Sequence, residues 1–352
     1  MNNIIEADCR EILARVNIRK AKGKKILITG ANGFLGQYLV SVLSLANREL
    51  GLGCTIHAVS LSGPRPVIQS LMRYDKRISY RRVDLSHPFN LAGYDYIFHA
   101  AGYAQPAKFV QDPASTVAIN VDATRSLLEA SRSATFVFFS SAEIYGNIPS
   151  RLIPVREDFN GNCPLHMPRS VYAESKRLGE ALCAAYKKNK GVNAKIVRIS
   201  HVYGPGLPPD DTRVMSEFIQ KALTKKKISL LDQGTSVKTY GYIADIVAMI
   251  LFVAFESREM VYNVGGKDSL SILDLAKKIA KYCHADYAIP AQTSGLAHIG
   301  KDPELVKLNL AKIKREMKKF RFTPFSKGLA RTIEWQKDYM KTSPRIGKGS
   351  KG

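Results

Sequence analysis

Apolar and polar positions along this chain alternate in two rhythms. Short β-rich runs at 26–29, 55–60, 78–83, 95–99, 135–140 and 194–199 predict strands. Between several of them, 34–47, 115–131 and 170–189 repeat their apolar residues every three to four positions, as helices do. Strand and helix taking turns predict an α/β chain, a doubly wound parallel sheet covered on both faces. Ahead of it, Ile4, Ile5, Cys9, Ile12, Leu13 and Val16 fall at helical spacing and predict a short amphipathic helix. A basic stretch, Arg19 to Lys25, links that helix to the first strand.

After Gly204 the pattern changes. Pro205, Pro208 and Pro209 interrupt it, 213–224 predicts a helix, and 228–240 predicts short strands and a turn. Further helices are predicted at 269–282 and 304–319, and over 304–321 Leu308, Ile313, Met317 and Phe320 give an apolar stripe. No internal repeat is present, and Lys341 to Gly352 is a Gly/Ser/Lys-rich stretch that predicts a disordered tail.

Composition narrows the class. With 352 residues, 45% hydrophobic and 24% charged, the chain can bury a large core without disulfide or metal staples. Five cysteines, an odd number with no CxxC, predict a reducing, cytoplasmic setting. The longest apolar stretch, Ile243 to Phe255, contains Asp245 and is too short to span a bilayer, so no membrane partner is expected. The first residues lack the continuous apolar core of a secretion signal. The histidines are scattered, and no metal site is expected.

Charge is the unusual feature, at +23. A surface of this sign attracts polyanions. Yet no stripe of aromatics interleaved with Lys and Arg appears, so nucleic acid is not an expected partner.

Candidate chemistry begins at Ile26-Leu27-Ile28-Thr29-Gly30-Ala31-Asn32-Gly33-Phe34-Leu35-Gly36, a strand, a glycine turn and a helix start. Glycines three apart in that context let the backbone approach a pyrophosphate, whose charge the helix N-terminus holds. Gly30, Asn32, Gly33, Phe34, Leu35 and Gly36 are therefore candidate cofactor contacts. The second strand lacks the acid that binds a ribose 2′-hydroxyl: Ser62 stands in its place and Arg65 follows. A hydroxyl and a guanidinium suit a 2′-phosphate, so NAD and NADP are both open.

Tyr172 and Lys176 lie at i and i+4 of one helix face, where an ammonium favours the phenolate. About thirty residues earlier, the apolar strand from Phe136 ends in Ser140-Ser141-Ala142-Glu143, at the edge where open α/β sheets place ligands.

Further motifs follow in order: Val83-Asp84-Leu85, His99-Ala100-Ala101-Gly102, Asn120 in Asn-Val-Asp-Ala-Thr, and Arg198 through Val202-Tyr203-Gly204-Pro205-Gly206. With these the chain resembles the extended short-chain dehydrogenase/reductase family, in its nucleotide-sugar epimerase, dehydratase and decarboxylase branch. The resemblance runs from Lys25 to Trp335. It implies a Rossmann domain over 25–203 with a return segment near 240–264. A smaller C-terminal α/β substrate domain would take 204–239 and 265–340, with 1–24 as an N-terminal helix and linker.

It also implies that Asp84 contacts the adenine amino group, that Ala100, Ala101 and Gly102 line the cofactor, and that Lys176 holds the nicotinamide ribose. Leu85, Asn120 and His201 join the implied cofactor contacts. Tyr172 would take the proton of a sugar C4 hydroxyl while hydride passes to the nicotinamide, with Ser141 sharing the hydrogen bond. Ser141, Ala142, Arg213 and Lys238 are the implied contacts to a nucleotide-diphosphate sugar. Glu143 is common at this position in 4,6-dehydratases and UDP-glucuronate decarboxylases, where it acts on a 4-keto intermediate. Ala142, where dehydratases often carry an acid or hydroxyl, counts against elimination. Lys238 replaces a frequent arginine, and His201 a frequent asparagine. A structural pairing of Glu143 with a neighbouring base, and a plain 4-epimerase, stay open. Pairing of two copies through the helices near 115–131 and 170–189 is the expected assembly.

Overall fold

The computed structural model describes residues 2–131, 133–207, 211–291, 305–318 and 320–342. The predicted tail from 343 onward lies outside them, as do Pro208, Pro209 and the start of the 304–319 prediction. The chain opens with helix α1 (Asn3–Leu13), then β1 (Lys25–Thr29), α2 (Phe34–Leu50), β2 (Thr55–Ser60), α3 (Pro66–Tyr74) and β3 (Ile78–Arg82). Next come β4 (Tyr96–His99), α4 (Pro106–Gln111), α5 (Pro113–Val117), α6 (Ala123–Glu129), β5 (Thr135–Ser141), α7 (Ser170–Lys190) and β6 (Asn193–Ile199). A π-helical turn, Ala118–Asp122, joins α5 to α6, so the helix predicted over 115–131 is locally widened.

Past that point lie β7 (His201–Tyr203), α8 (Val214–Lys225), β8 (Lys227–Ser229), β9 (Val237–Tyr242), α9 (Ile243–Phe255) and β10 (Val261–Val264). The described chain closes with β11 (Asp268–Ser271), α10 (Ile272–Cys283), β12 (Asp286–Ala288), β13 (Leu305–Val306), α11 (Ala311–Glu316) and α12 (Phe325–Thr342).

Seven strands form one sheet in the order β10-β6-β5-β4-β1-β2-β3, every pair parallel. This is the doubly wound arrangement the alternation predicted, with the strand order reversing between β1 and β4. Side chains alternate across it with period two. On β5, Phe136 and Phe138 join the core on the α6–α7 face, while Val137 and Phe139 join the one under α2 and α9. A second sheet places β9 between β11 and β13, with β7 also paired to β9.

The prediction of one helix over 304–319 is corrected. Val306, Leu308 and Leu310 are buried on alternate positions, a strand rhythm. Val306 pairs with Lys238 and Leu308 bridges Val155, so only Ala311–Glu316 remains helical.

Helix α9 is apolar apart from Asp245 because it is covered all round, and its thirteen residues are buried. No described helix is long and apolar enough to cross a membrane. Across α9 and α2 lies α1, whose Asp8 is fully buried. That carboxylate accepts hydrogen bonds from Tyr38 of α2 (3.0 Å), Tyr242 of β9 (2.8 Å) and Arg331 of α12 (2.6 Å). Burial nevertheless pushes its pKa up to about 6. One turn on, Glu11 pairs with Arg331 and Lys327, and Arg15 with Asp245 at 2.6 Å. A clasp of charge thus ties the first helix to the last.

Candidate active site

The site forms where the strand order reverses. Gly30 follows β1 with φ +66°, and a Cβ there would stand 2.7 Å from Ala100 O and Ala101 N of the loop after β4. A Cβ on Gly36 would strike Gly30 O, so the turn and the helix start pack backbone to backbone. Gly33 begins α2 without a side-chain cap, which leaves the helix N-terminus open to an anion. Phe34 and Leu35 form the first turn of that helix.

Asn32 does a different job. Its amide nitrogen, with two hydrogens to give, lies within reach of Ser62 Oγ (2.9 Å), Gly63 O (2.7 Å) and Tyr80 Oη (3.0 Å), and its oxygen accepts from Arg65 N (3.1 Å). The loop after β2 is thereby fixed, with the Arg65 residue exposed. Asp84 is also exposed, and its carboxylate accepts from Ser86 N and Oγ. Leu85 beside it is buried.

Behind the Ala100–Gly102 loop runs a buried relay. Ala101 N–H donates to Thr29 Oγ1 (3.2 Å), and because the Ile119 carbonyl on the far side of the ring can only accept, the neutral His99 carries its proton on Nε2 and accepts from the threonine hydroxyl at Nδ1 (2.8 Å). His99 Nε2 then donates to Ile119 O (3.2 Å). Burial, with Lys176 adding repulsion, lowers the imidazole to about 3 and keeps it neutral. Asn120, on the π turn, donates to Ser175 Oγ at 2.9 Å, while its buried Oδ1 has no partner among the described residues. A Cβ built on Gly102 would lie 3.2 Å from that oxygen and 3.4 Å from Lys176 Nζ.

Helix α7 delivers Tyr172, Lys176 and Glu180 four residues apart on one face. Tyr172 stacks on Phe109 of α4 at 4.8 Å, with planes 12° apart. Burial pushes the phenol up to about 12, while a hydrogen bond from Ser141 works to lower it. Lys176 donates to Phe139 O at 2.7 Å and lies over the rings of Phe138 and, at 6.0 Å, Tyr172. Burial drives its ammonium down to about 7. Below, Glu180 accepts from Ser140 Oγ (2.5 Å) and Arg198 Nη2 (2.7 Å), and Arg198 also donates to Tyr145 Oη (2.9 Å).

Ser141 ends β5 and its Oγ accepts from Glu143 N at 3.2 Å. Ala142 is buried between them. Glu143 Oε2 meets Arg169 Nη2 at 3.1 Å, and its charge helps raise the Tyr172 phenol. Ser141, Glu143, Tyr172 and Lys176 therefore share one neighbourhood. Arg213 is forked onto Asp211 by two 2.8 Å bonds and lies 5.7 Å over the ring of Phe34 at the start of α2. Lys238 is buried on β9, and His201 is exposed on β7 against Tyr240. Among the described residues no cluster could hold a metal ion.

The sequence profile of the NAD dependent epimerase/dehydratase family matches residues 26–265. The chain belongs to that family. UDP-glucuronic acid decarboxylase 1 of Xenopus tropicalis is 26% identical over 314 residues, covering 89% of this chain and 72% of that protein. UDP-glucuronic acid decarboxylase 1 of Arabidopsis thaliana is 27% identical over 300 residues, covering 84% and 66%. Among solved structures, a mutant UDP-glucuronic acid 4-epimerase of Bacillus cereus, in complex with UDP-4-deoxy-4-fluoro-glucuronic acid and NAD, has a TM-score of 0.75. It is 25% identical and covers 89% of this chain and 99% of that one. In this family member, the sequence reasoning missed Phe109, the Thr29–His99 relay and Arg169. Only Arg169 carried a readable signal, three residues before Tyr172 at helical spacing.

Proposed function

We propose that the chain oxidises C4 of a UDP-linked uronic acid and then releases its carboxyl carbon as carbon dioxide. The observation that carries this reading is Glu143, a carboxylate set beside the two hydroxyls, Ser141 and Tyr172, that C4 oxidation itself needs. Its relatives' activities support it. The glycine cradle, the uncapped start of α2 and the orphaned Asn120 Oδ1 fit a nicotinamide dinucleotide. Gly30, Gly33 and Gly36 would hold its pyrophosphate, Asp84 its adenine, and Lys176 its nicotinamide ribose.

Bound there, the dinucleotide supplies a hydride acceptor and, oxidised, a positive charge that favours the ionised phenol. Tyr172 takes the C4 hydroxyl proton and Ser141 steadies the oxygen. With C4 a ketone, the sugar is a β-keto acid. The C5–C6 electron pair moves into the C4 carbonyl as carbon dioxide leaves, and C5 then takes a proton. Glu143 manages that proton, and Tyr172 finally returns its own to the C4 oxygen, while the hydride taken at the start would go back from the reduced dinucleotide to C4. Elimination fits less well, because Ala142 offers no proton to a leaving group. The pairing of Glu143 with Arg169 favours 4-epimerisation as the second reading, if that pairing is its whole role.

Incubation with UDP-glucuronate and mass analysis of the product tests the reading. Glu143→Gln should let reduced nicotinamide accumulate while pentose formation falls by about a hundred- to ten-thousandfold. Wild-type turnover by Glu143→Gln would make Glu143 structural and the protein an epimerase. The exposed Val117 and Leu178 on α5 and α7 support a homodimer through that face. Five unpaired cysteines support a cytoplasmic setting.

A further inference from the structure

We infer that Phe109 is a positioning residue for Tyr172: its ring sets the plane and reach of the phenol that takes the C4 proton. This rests on the C4 oxidation read above. In a helix a long side chain leans back over the turn that precedes it. Tyr172 is only the third residue of α7, so the helix itself supplies no full turn to carry the ring. The surface comes from α4 instead. The Phe109 and Tyr172 rings lie 4.8 Å apart with planes 12° from parallel, and both residues are buried.

Two torsions decide what a tyrosine hydroxyl can reach. Rocking about the first moves Oη itself. Turning the ring about the second, which is intrinsically broad and two-fold, swings the plane that holds the hydroxyl's proton. A flat neighbour restrains both, because it blocks rocking toward itself and fixes the ring plane. Ser141 holds the other end of the side chain, by its hydrogen bond to the phenol. Lys176 Nζ, 6.0 Å from the ring centre and bonded to Phe139 O, offers no flat face to do the same. Helix α4 is itself tied at both ends. Gln105 Nε2 donates to Asp211 Oδ2 at 3.0 Å, and Asp112 caps α5, which packs on α7, by accepting from Ser115 N at 3.0 Å. Phe109 brings no acid, base or polar side-chain atom, so its contribution to rate runs through the phenol.

The test is stopped-flow absorbance of the cofactor-loaded protein mixed with UDP-glucuronate or UDP-glucose, which reads how fast bound nicotinamide is reduced. Calorimetry with UDP reads binding separately. Phe109→Leu and Phe109→Met keep an apolar side chain without a flat face, and buried sites tolerate such swaps better than truncation. Each should slow reduction by about ten- to hundredfold, the cost of a slightly misplaced reacting group. UDP affinity should stay within about twofold, so that kcat falls while KM holds. Phe109→Tyr, which keeps the aromatic face, should stay within about threefold of the wild-type rate. A single-turnover rate does not depend on how much of a preparation is folded, so a merely structural role would lower the amplitude and leave the rate. A folded Phe109→Leu or Phe109→Met protein that reduces nicotinamide at the wild-type rate would overturn the assignment and leave the C4 reading intact. So would a Phe109→Tyr protein no faster than Phe109→Leu. Wild type that reduces its nicotinamide with neither sugar would overturn that reading, and the assignment with it.

Discussion

Around Asp8 every buried partner finds an answer: two phenols and a guanidinium donate to one carboxylate. Around Tyr172 the answers are incomplete. Asn120 Oδ1 is buried without a partner, and among the described residues Lys176 has a single hydrogen-bond acceptor, Phe139 O. Both regions bury a titratable group, and in both burial shifts its pKa toward the neutral form. A satisfied network fixes a structure, whereas an unsatisfied one is held open for something that arrives later. The clasp is therefore expected to govern stability and the pocket to govern chemistry.

The sharpest way to break that division is to remove one hydroxyl from the pocket. Tyr172→Phe should lower turnover by about a hundred- to ten-thousandfold and leave the melting temperature nearly unchanged, since its ring still stacks on Phe109. Loss of folding rather than of activity would erase the contrast. The reciprocal change is Asp8→Ala. It should cost about 1–3 kcal/mol for each of the two buried phenols left without an acceptor. Denaturant unfolding measures this, and turnover per folded molecule should survive.

The two regions should also answer pH with opposite signs. The folded pKa of Asp8, about 6, lies above its ordinary 3.8, so the folded state holds a proton the unfolded state has lost. Stability from this group falls as pH rises between those values. Lys176, at about 7 against 10.5, is the reverse: its contribution rises with pH from about 7 upward. Each slope reaches at most about 1.4 kcal/mol per pH unit. Subtracting the pH profiles of Asp8→Ala and Lys176→Met from wild type isolates them. Two differences of the same sign would show that the clasp and the pocket are not titrating as described.

The smallest effect concerns the loop after β2, which resembles the clasp in being fully tied, through Asn32. With no acid at Ser62, NAD and NADP should bind within about a hundredfold of each other, about 2.8 kcal/mol by calorimetry. Arg65→Glu should shift the balance toward NAD. A stronger wild-type preference for NAD would mean that Arg65 takes no part.

The central sheet was legible because its strands are short, apolar and separated by helical spacing. Less legible were α3, α4 and α5, although Pro66, Pro106 and Pro113 each mark a helix start. Helix α12 was missed despite Phe325, Leu329 and Ile333 at four-residue intervals. At the site, Ser141, Glu143, Tyr172 and Lys176 could be named because motif order places them. Thr29 and His99 lie 70 residues apart in the chain, and their contact arises only when β1 and β4 pair. Spacing puts Lys176 near Tyr172, but it cannot show the lysine donating a hydrogen bond to a strand carbonyl, Phe139 O.

The bond between Asp8 and Arg331 spans 323 positions of sequence. On a growing chain, the first helix therefore leaves the ribosome long before the partner of its buried carboxylate exists. Tyr242 is likewise 234 positions away. Until both have been synthesised, Tyr38 of α2 is the one of these three donors that Asp8 can reach. Closure of the clasp is then a late event of biosynthesis, and the interval before it is when this protein most needs protection from aggregation.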